Sequence, residues 1–202
     1  MPRVKVGRKS TAIDMTAMCD VAFLLLTFFI LSAKPKVQEA LEARVPASIA
    51  TFTIPETDFS TLTVAQKKVF FNVQGVDVRI GTLKLMGEKH GITFTPAEQQ
   101  QFATIESFGI PVKLLKPYLA LPNDQKSAYP QPGIPVDSTA TNELADWVQS
   151  ARKANLGING VKLEIAIKGD QNEEYPTIRN VISTLQKQQV NKFNLITSLK
   201  TL

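Results

Sequence analysis

The sequence predicts a single amino-terminal transmembrane α-helix followed by a small α+β domain. Residues 13–33 form one long apolar segment, and the rest of the chain mixes alternating apolar patterns with patterns of helical spacing. With 202 residues, the chain has room for one membrane helix and one domain of about 100 to 150 residues. We therefore expect one mixed sheet with helices on one face, enlarged by a helical insertion.

The first twelve residues are basic. Their charged side chains are Arg3, Lys5, Arg8 and Lys9. A basic excess before a membrane helix predicts that this end stays in the cytoplasm, so residues 1–12 are expected to be a cytoplasmic tip. Residues 34–202 then lie outside the cytoplasm. Their nineteen basic and sixteen acidic side chains nearly balance, which argues against a nucleic-acid surface.

Residues 13–33 are long enough to span a bilayer, because a helix of this length measures about 31 Å. A cleaved signal peptide is the alternative, since residues 21–33 form an apolar stretch of suitable length and Leu31-Ser32-Ala33 at its end resembles a cleavage site. An acid directly before that stretch, Asp20, is untypical of a signal peptide. Cys19 precedes the apolar stretch, which argues against a lipoprotein. We therefore favour a transmembrane helix.

A carboxylate within this helix needs a compensating role, because an ionised group in lipid is costly. Residues four and seven positions apart share a helix face, so Thr16, Asp20 and Thr27 form one polar stripe. Asp14 points about 120° away, near the membrane boundary, and is the secondary candidate. A lone helix cannot shield Asp20, so the stripe predicts partner helices or a water-filled path. Asp20 could then carry a proton, or it could only hydrogen-bond between helices.

Residues 34–66 are predicted to be an extended linker, because they contain several prolines and show little hydrophobic periodicity. A strand is expected over residues 68–73, where apolar residues alternate. The dipeptide Gln74-Gly75 is expected to turn the chain into a second strand over residues 76–80, which together would form a hairpin.

The domain is predicted to cover residues 67–202, with the insertion at about residues 83–137. Within the insertion, Thr95 can cap a helix that starts at Pro96, and Glu98 completes a capping box. The elements expected there are a helix over residues 96–107, a short helix over 111–121 and a proline-rich loop over 122–135.

The carboxy-terminal part is predicted to alternate helix and strand. Apolar residues around Trp147 recur at helical spacing behind Thr141 or Asn142 as the cap, so Trp147 is expected in the core rather than in a binding site. The elements expected are a helix over residues 143–154, a strand over 161–168, a helix over 176–189 and a last strand over 192–199.

The composition excludes several classes of function. The single cysteine lies in the apolar segment, so the domain has no disulfide framework. The single histidine, His90, is predicted to be a surface residue, and no CxxC or HxxxH spacing supports a metal site. No Ser-His-Asp set and no glycine-rich phosphate loop are evident. We expect no cofactor and no enzyme; a secreted enzyme with a cleaved leader is the remaining alternative.

The helix motif resembles the amino-terminal signature of the ExbD/TolR family of bacterial energy-transducing proteins, which is close to DMTPxxDVxFxLLxFF. The matching residues are Asp14-Met15-Thr16, Asp20-Val21, Leu24-Leu25 and Phe28-Phe29. Ala17 stands where the family commonly has proline. The carboxy-terminal residues 162–199 are similar to the family too, and the long middle section resembles ExbD-like proteins of the Bacteroidetes.

This resemblance implies a single-pass protein of the bacterial inner membrane whose domain is periplasmic. It implies two copies of the helix inside a pentamer of an ExbB/TolQ-like protein, self-association as a dimer, and a TonB-like or TolA-like partner moved by proton flow through Asp20. The alternative is a TolR-like protein for envelope maintenance, or a passive anchored module that binds peptidoglycan or a periplasmic protein. The sequence leaves protons and sodium ions both open.

Overall fold

The computed structural model describes residues 15–32, 47–48, 57–126, 128–136, 142–170, 173–196 and 198–199. The chain divides into two compact units, one with the apolar helix and one with the sheet. The helices are α1 Met15–Ser32, α2 Val76–His90, α3 Pro96–Ala103, α4 Val112–Leu119, α5 Asn123–Lys126, α6 Glu143–Asn159 and α7 Tyr175–Lys187. The strands are β1 Ala47–Ser48, β2 Phe59–Ala65, β3 Lys68–Val73, β4 Ser107–Phe108, β5 Glu164–Gly169, β6 Asn194–Ile196 and β7 Ser198–Leu199.

The main sheet has five strands in the order β4-β3-β2-β5-β6. Strand β3 is antiparallel to both β2 and β4, whereas β5 is parallel to both β2 and β6. A separate parallel pair of two residues each joins β1 and β7. The mixed sheet with helices, preceded by one apolar helix, confirms the predicted fold class.

The hairpin of this sheet differs from the predicted one. Strand β3 covers the predicted residues 68–73, but its partner is β2, which precedes it. The connecting turn is Gln66-Lys67, where both residues have positive φ angles of 54° and 59°. Two left-handed residues in a two-residue loop match the twist of a β-hairpin. The predicted linker over residues 34–66 is therefore wrong at its end, where the central strand begins at Phe59.

Residues 76–80 form the first part of helix α2, so the predicted second strand is wrong. Their apolar residues alternate, but the packing follows the helical period, with Val78, Arg79 and Thr82 buried. The helix ends at a left-handed Gly91 with φ of 67°. Helix α2 runs unbroken from residue 76 to residue 90, through the predicted start of the insertion at about residue 83. The insertion itself stays a prediction.

The other predicted elements are present with shifted ends. The capping box at Thr95 and Glu98 is confirmed, but α3 ends at Ala103 because the chain turns into β4. Helix α6 uses Asn142 as its cap and extends to Asn159, beyond the predicted residue 154. The predicted loop over 122–135 contains the short helix α5, and the predicted last strand is divided between β6 and β7.

The core lies between one face of the sheet and the helices. The ladders place Leu62 of β2 beside Phe71 of β3 and Ile167 of β5, so the three side chains share a face. The helix residues in the same buried cluster include Leu83, Met86, Leu144, Val148, Val181 and Leu185.

Trp147 lies at the centre of an aromatic cluster within this core, which confirms the prediction that it is a core residue. Its ring stacks on Phe102 at 6.0 Å and meets the edge of Phe108 at 4.7 Å between ring centroids. Trp147 is completely buried. Because it is the single tryptophan of the chain, its fluorescence reports on the packing of this domain.

A buried arginine joins three elements at one corner of the domain. Arg79 is only 9% exposed, and its guanidinium donates hydrogen bonds to the carbonyl oxygens of Val73, Ala103 and Ile105 at 2.8, 2.6 and 3.1 Å. Burial lowers its pKa, while the nearby Glu106 acts in the opposite direction. The cation lies at the carboxyl end of α3, where it also meets the negative end of the helix dipole.

A half-buried glutamate joins the start of α6 to the start of α4. Glu143 Oε1 accepts hydrogen bonds from the backbone N–H of Val112 at 2.6 Å and from Trp147 Nε1 at 3.3 Å. Pro111, the residue before α4, offers no side-chain cap, so Glu143 supplies one from a distant part of the chain. Burial raises the pKa of Glu143 above its ordinary value.

We predict that Arg79→Met lowers the free energy of unfolding by about 3 kcal/mol, because three buried carbonyl oxygens lose a charged donor. The measurement is denaturant unfolding of the detergent-solubilised chain, followed by Trp147 fluorescence. Arg179→Met is the matched control, since Arg179 is exposed on α7 and its loss should change stability by less than about 0.5 kcal/mol. Equal effects of both substitutions would contradict the role given to Arg79.

We predict that Glu143→Gln becomes progressively more stabilising, relative to the unsubstituted chain, as the pH rises. A carboxyl whose pKa is raised in the folded state favours folding at low pH, and this contribution is lost as the pH rises through the raised pKa. Glutamine keeps the acceptor oxygen and never ionises. The free energy of unfolding of both proteins should be compared between about pH 4 and pH 8. Parallel curves over that range would show that burial does not shift the titration of Glu143.

Candidate functional site

The candidate site is the carboxylate of Asp20 in helix α1. Asp20 is the sixth of the 18 residues of this helix and its one charged residue. The helix has a mean hydropathy of 2.0 and is long and apolar enough to cross a membrane. At 1.5 Å per residue, Asp20 lies about 7.5 Å along the axis from the first residue of the helix, a little less than one third of its length.

The helical backbone places the three predicted polar residues on one face. Thr16, Asp20 and Thr27 lie within about 40° of each other around the helix axis and span about 16 Å along it. Thr27 donates its hydroxyl to the carbonyl oxygen of Leu24 at 2.9 Å, so its oxygen faces outward as an acceptor. Asp20 and Thr27 lie two helical turns apart, which is too far for a direct hydrogen bond between their side chains.

The Asp20 side chain is exposed on the surface of α1, and the structure shows it no ion pair or hydrogen bond among the residues it describes. Side chains throughout α1 are largely exposed, including Leu24, Phe28 and Phe29. In lipid, these apolar residues need no partner, whereas an ionised Asp20 does. Asp14, the secondary candidate, lies outside the described residues.

The folded domain presents a different kind of surface. Among the described residues, no group of three or more His, Cys, Asp or Glu side chains could hold a metal ion. Exposed His90, the predicted surface residue, lies with its Nε2 3.2 Å from Asp146 Oδ2. One cleft of about 430 Å³ opens between the β2–β3 turn and the start of α7, and its lining combines lysine, threonine and asparagine residues with prolines, valines and an isoleucine.

The acidic turn before α7 contacts this same β2–β3 turn. Glu173 accepts hydrogen bonds from the backbone N–H of Lys67 at 3.1 and 3.2 Å, and Glu174 forms an ion pair with the Lys67 side chain at 2.9 Å. Glu174 therefore raises the pKa of Lys67. Sequence reasoning missed this contact because the two turns are more than 100 residues apart.

Comparison with known proteins assigns a family. The chain matches the family model described as biopolymer transport protein ExbD/TolR over residues 7–200, which includes the Asp20 motif and the whole described domain. No curated protein and no solved structure matches the chain. The predicted closeness to proteins of the Bacteroidetes stays a prediction.

We predict that Asp20→Leu makes insertion of the 15–32 segment into a membrane more favourable by about 1 to 3 kcal/mol, because it removes a carboxylate from the hydrocarbon region. The measurement is the inserted fraction of this segment within a host membrane protein. Thr27→Leu is the control on the same face and should have a much smaller effect. No gain for Asp20→Leu would place the carboxylate in the headgroup region.

Proposed function

Because this chain belongs to the ExbD/TolR family of biopolymer transport proteins, we propose that it is an ExbD-like subunit that converts a proton-motive force into mechanical work, with Asp20 carrying the proton. Members of this family are non-enzymatic and take part in energy transduction for transport. They work with ExbB/TolQ and TonB/TolA proteins. The amino-terminal helix and the family together indicate a single-pass membrane protein.

The observation that carries the proposal is the isolation of Asp20 in α1. The Asp20 carboxylate has no partner among the residues that the structure describes, so it does not stabilise an apolar helix placed in lipid. A role as proton carrier would explain why this helix contains Asp20, because that role needs a group that can gain and lose a proton within the membrane. The polar stripe of Thr16, Asp20 and Thr27 supports this, since hydroxyl groups on the same face can order water along a path to the carboxylate.

The proposed partner is a multi-helix ExbB/TolQ-like protein whose pentamer encloses α1. Such an enclosure meets the physical demand of Asp20, because surrounding helices can exclude lipid and admit water. Two copies of α1 within one pentamer would allow their carboxylates to act in alternation. One charge that crosses 100 mV yields about 2.3 kcal/mol, so several protons would be needed for each mechanical step on a TonB-like protein.

The proposed location is the bacterial inner membrane, with residues 1–12 in the cytoplasm and the domain in the periplasm. The four basic residues before Asp14 support this orientation by the positive-inside rule. The domain, which has its own core, would then transmit or regulate the work done on the TonB-like partner. Sodium ions in place of protons are compatible with the same carboxylate and hydroxyl groups.

The competing proposal is a TolR-like or passive module, in which α1 only anchors a domain that binds the cell wall or a periplasmic protein. The self-contained fold of the domain supports this reading. Replacement of residues 13–33 by an unrelated spanning helix separates the two proposals. A passive module should keep its function after this exchange, whereas a proton carrier should lose it.

We predict that Asp20→Asn abolishes energised transport, with a loss of at least about 100-fold in rate, because the amide cannot take up and release a proton at physiological pH. The measurement is uptake through an outer-membrane transporter in cells that lack the native gene. Co-purification of the ExbB/TolQ-like protein with the variant shows that assembly persists.

Two further variants act as controls for this prediction. Cys19→Ser changes the neighbouring residue about 100° around the helix from Asp20 and should leave transport intact. Asp14→Asn tests the secondary candidate and should reduce transport less than Asp20→Asn does. Full transport by Asp20→Asn would show that this carboxylate carries no proton.

A further inference from the structure

Four titratable side chains lie where the helices α2, α4 and α6 meet. Glu143 and Asp146 belong to the first turn of α6, and Lys89 and His90 belong to the last turn of α2. Glu143 also contacts the backbone of Val112 at the start of α4. Gain or loss of a proton within this group changes the charge at the junction of three helices, so it can change how firmly they pack.

Glu143 is the member of this group that lies between the packed helices. Its Oε1 accepts hydrogen bonds from the backbone N–H of Val112 at 2.6 Å and from Trp147 Nε1 at 3.3 Å. Val112 is 1% exposed and Trp147 is completely buried. A buried N–H group without an acceptor is costly, so both donors need the Glu143 carboxyl while α4 and α6 stay together. The protonated and the ionised carboxyl both supply an acceptor oxygen.

Burial makes this contact sensitive to release of a proton. Burial is the largest influence on the pKa of Glu143 and raises it, whereas the hydrogen bonds from Val112 and Trp147 lower it by a smaller amount. The ionised carboxyl therefore loses more than the protonated one when it is withdrawn from water. If α4 moves away from α6, water reaches the carboxyl and removes this cost. Separation of the two helices therefore becomes more favourable as the pH rises from the ordinary pKa of a glutamate to the raised pKa.

The other charged side chains at this junction adjust the ionisation of Glu143. Asp146 Oδ1 lies 2.5 Å from Lys89 Nζ, and Asp146 Oδ2 lies 3.2 Å from His90 Nε2. After burial and the two hydrogen bonds, the positive charge of a protonated His90 lowers the pKa of Glu143, and the negative charge of Asp146 raises it. Asp146 thus favours the protonated form of Glu143, while the end of α2 favours the ionised form.

The start of α4 is the element that can respond. Pro111 precedes this helix and supplies no side-chain cap, so the N–H group of its first turn relies on Glu143. The charged side chains of α4 serve other contacts, because Lys113 is exposed and Lys116 donates to the carbonyl oxygen of Thr93 at 3.0 Å. An eight-residue helix held at its start by a distant carboxyl is suited to local opening.

Helix α4 also supports one wall of a cleft. This cleft has a volume of about 390 Å³ and lies between the end of α2 and the start of α3. Glu88 of α2 lines one side, and Thr93 and Phe94 of the following connection line another. Because Lys116 of α4 holds Thr93, a shift of α4 changes the support of this wall.

We propose that Glu143 is a proton-operated latch, which keeps the start of α4 docked on α6 while its carboxyl is protonated and loosens this contact when the proton passes to water. The core around Trp147 stays packed in both states. At the proposed location outside the cytoplasm, the latch would respond to the pH of the periplasm. It belongs to the domain alone, so its test is independent of whether Asp20 carries a proton.

The test is hydrogen exchange of the Val112 amide, measured by NMR on the full chain in detergent between about pH 4 and pH 8. The same rates are measured in Glu143→Gln, which keeps the acceptor oxygen and does not ionise. The ratio of the two rates removes the pH dependence of exchange itself. We expect the rate in the unsubstituted chain, relative to the variant, to rise at least about threefold over this range, because each pH unit between the ordinary and the raised pKa changes the opening equilibrium by up to about tenfold. A constant ratio would overturn the proposal.

The amide of Leu62 in the central strand β2 separates local from global opening. Leu62 is completely buried, so its amide should exchange much more slowly than that of Val112 at every pH. Equal rates would show that Val112 exchanges only when the whole domain unfolds, and this result would contradict a local latch.

Two charge variants identify the titrating group. Asp146→Asn should lower the midpoint of the rise by about 0.3 pH unit, because the negative charge that favours protonated Glu143 is lost. Glu164→Gln is the matched control, since Glu164 is exposed on β5, and it should leave the midpoint unchanged. A midpoint that Asp146→Asn leaves in place would assign the rise to another group and overturn the proposal.

Discussion

The carboxylate of Asp20 cannot be satisfied by the helix that carries it. The residues around it on the polar stripe are two threonines, and one of these, Thr27, already donates its hydroxyl to its own backbone. Everything else along α1 is suited to lipid or to apolar helix surfaces. If α1 spans a bilayer alone, an ionised Asp20 faces lipid without a partner, and for this reason the proposed function places α1 within an assembly.

The folded domain differs from α1, because its own residues fill its core and supply hydrogen-bond partners for Arg79 and Glu143. Trp147 and its aromatic neighbours fill the core, Arg79 satisfies three carbonyl oxygens at a corner, and Glu143 caps a helix that lacks a local cap. A domain with this independence can move or bind as one body without rearranging its core. The domain therefore has a core of its own, which the proposed transfer of force to another protein would require.

Several features were predictable from local sequence because local physics decides them. The apolar length of α1, the capping box at Thr95 and the strand over residues 68–73 follow from composition, spacing and alternation. The position of Asp20 on a polar stripe follows from helical geometry alone. The partner helices proposed to enclose Asp20 would belong to other chains, so this sequence alone does not identify them.

The features that were missed depend on contacts between distant residues. The turn at Gln66-Lys67 contains neither glycine nor asparagine, so the sequence does not indicate its left-handed residues. The predicted hairpin therefore pairs β3 with the segment after it instead of with β2, which precedes it. The alternation in residues 76–80 resembled a strand, but the buried hydrogen bonds of Arg79 and packing against α6 stabilise a helix there.

The proposed proton-carrying role requires that Asp20 change its protonation state when the assembled complex is energised. Infrared difference spectroscopy of the reconstituted complex, recorded with and without a proton gradient, measures this change. We expect a change in the carbonyl stretching band of a protonated carboxyl group that shifts with isotope-labelled aspartate and is lost in Asp20→Asn. A spectrum in which the gradient produces the same carboxyl bands in Asp20→Asn as in the unsubstituted chain would contradict it.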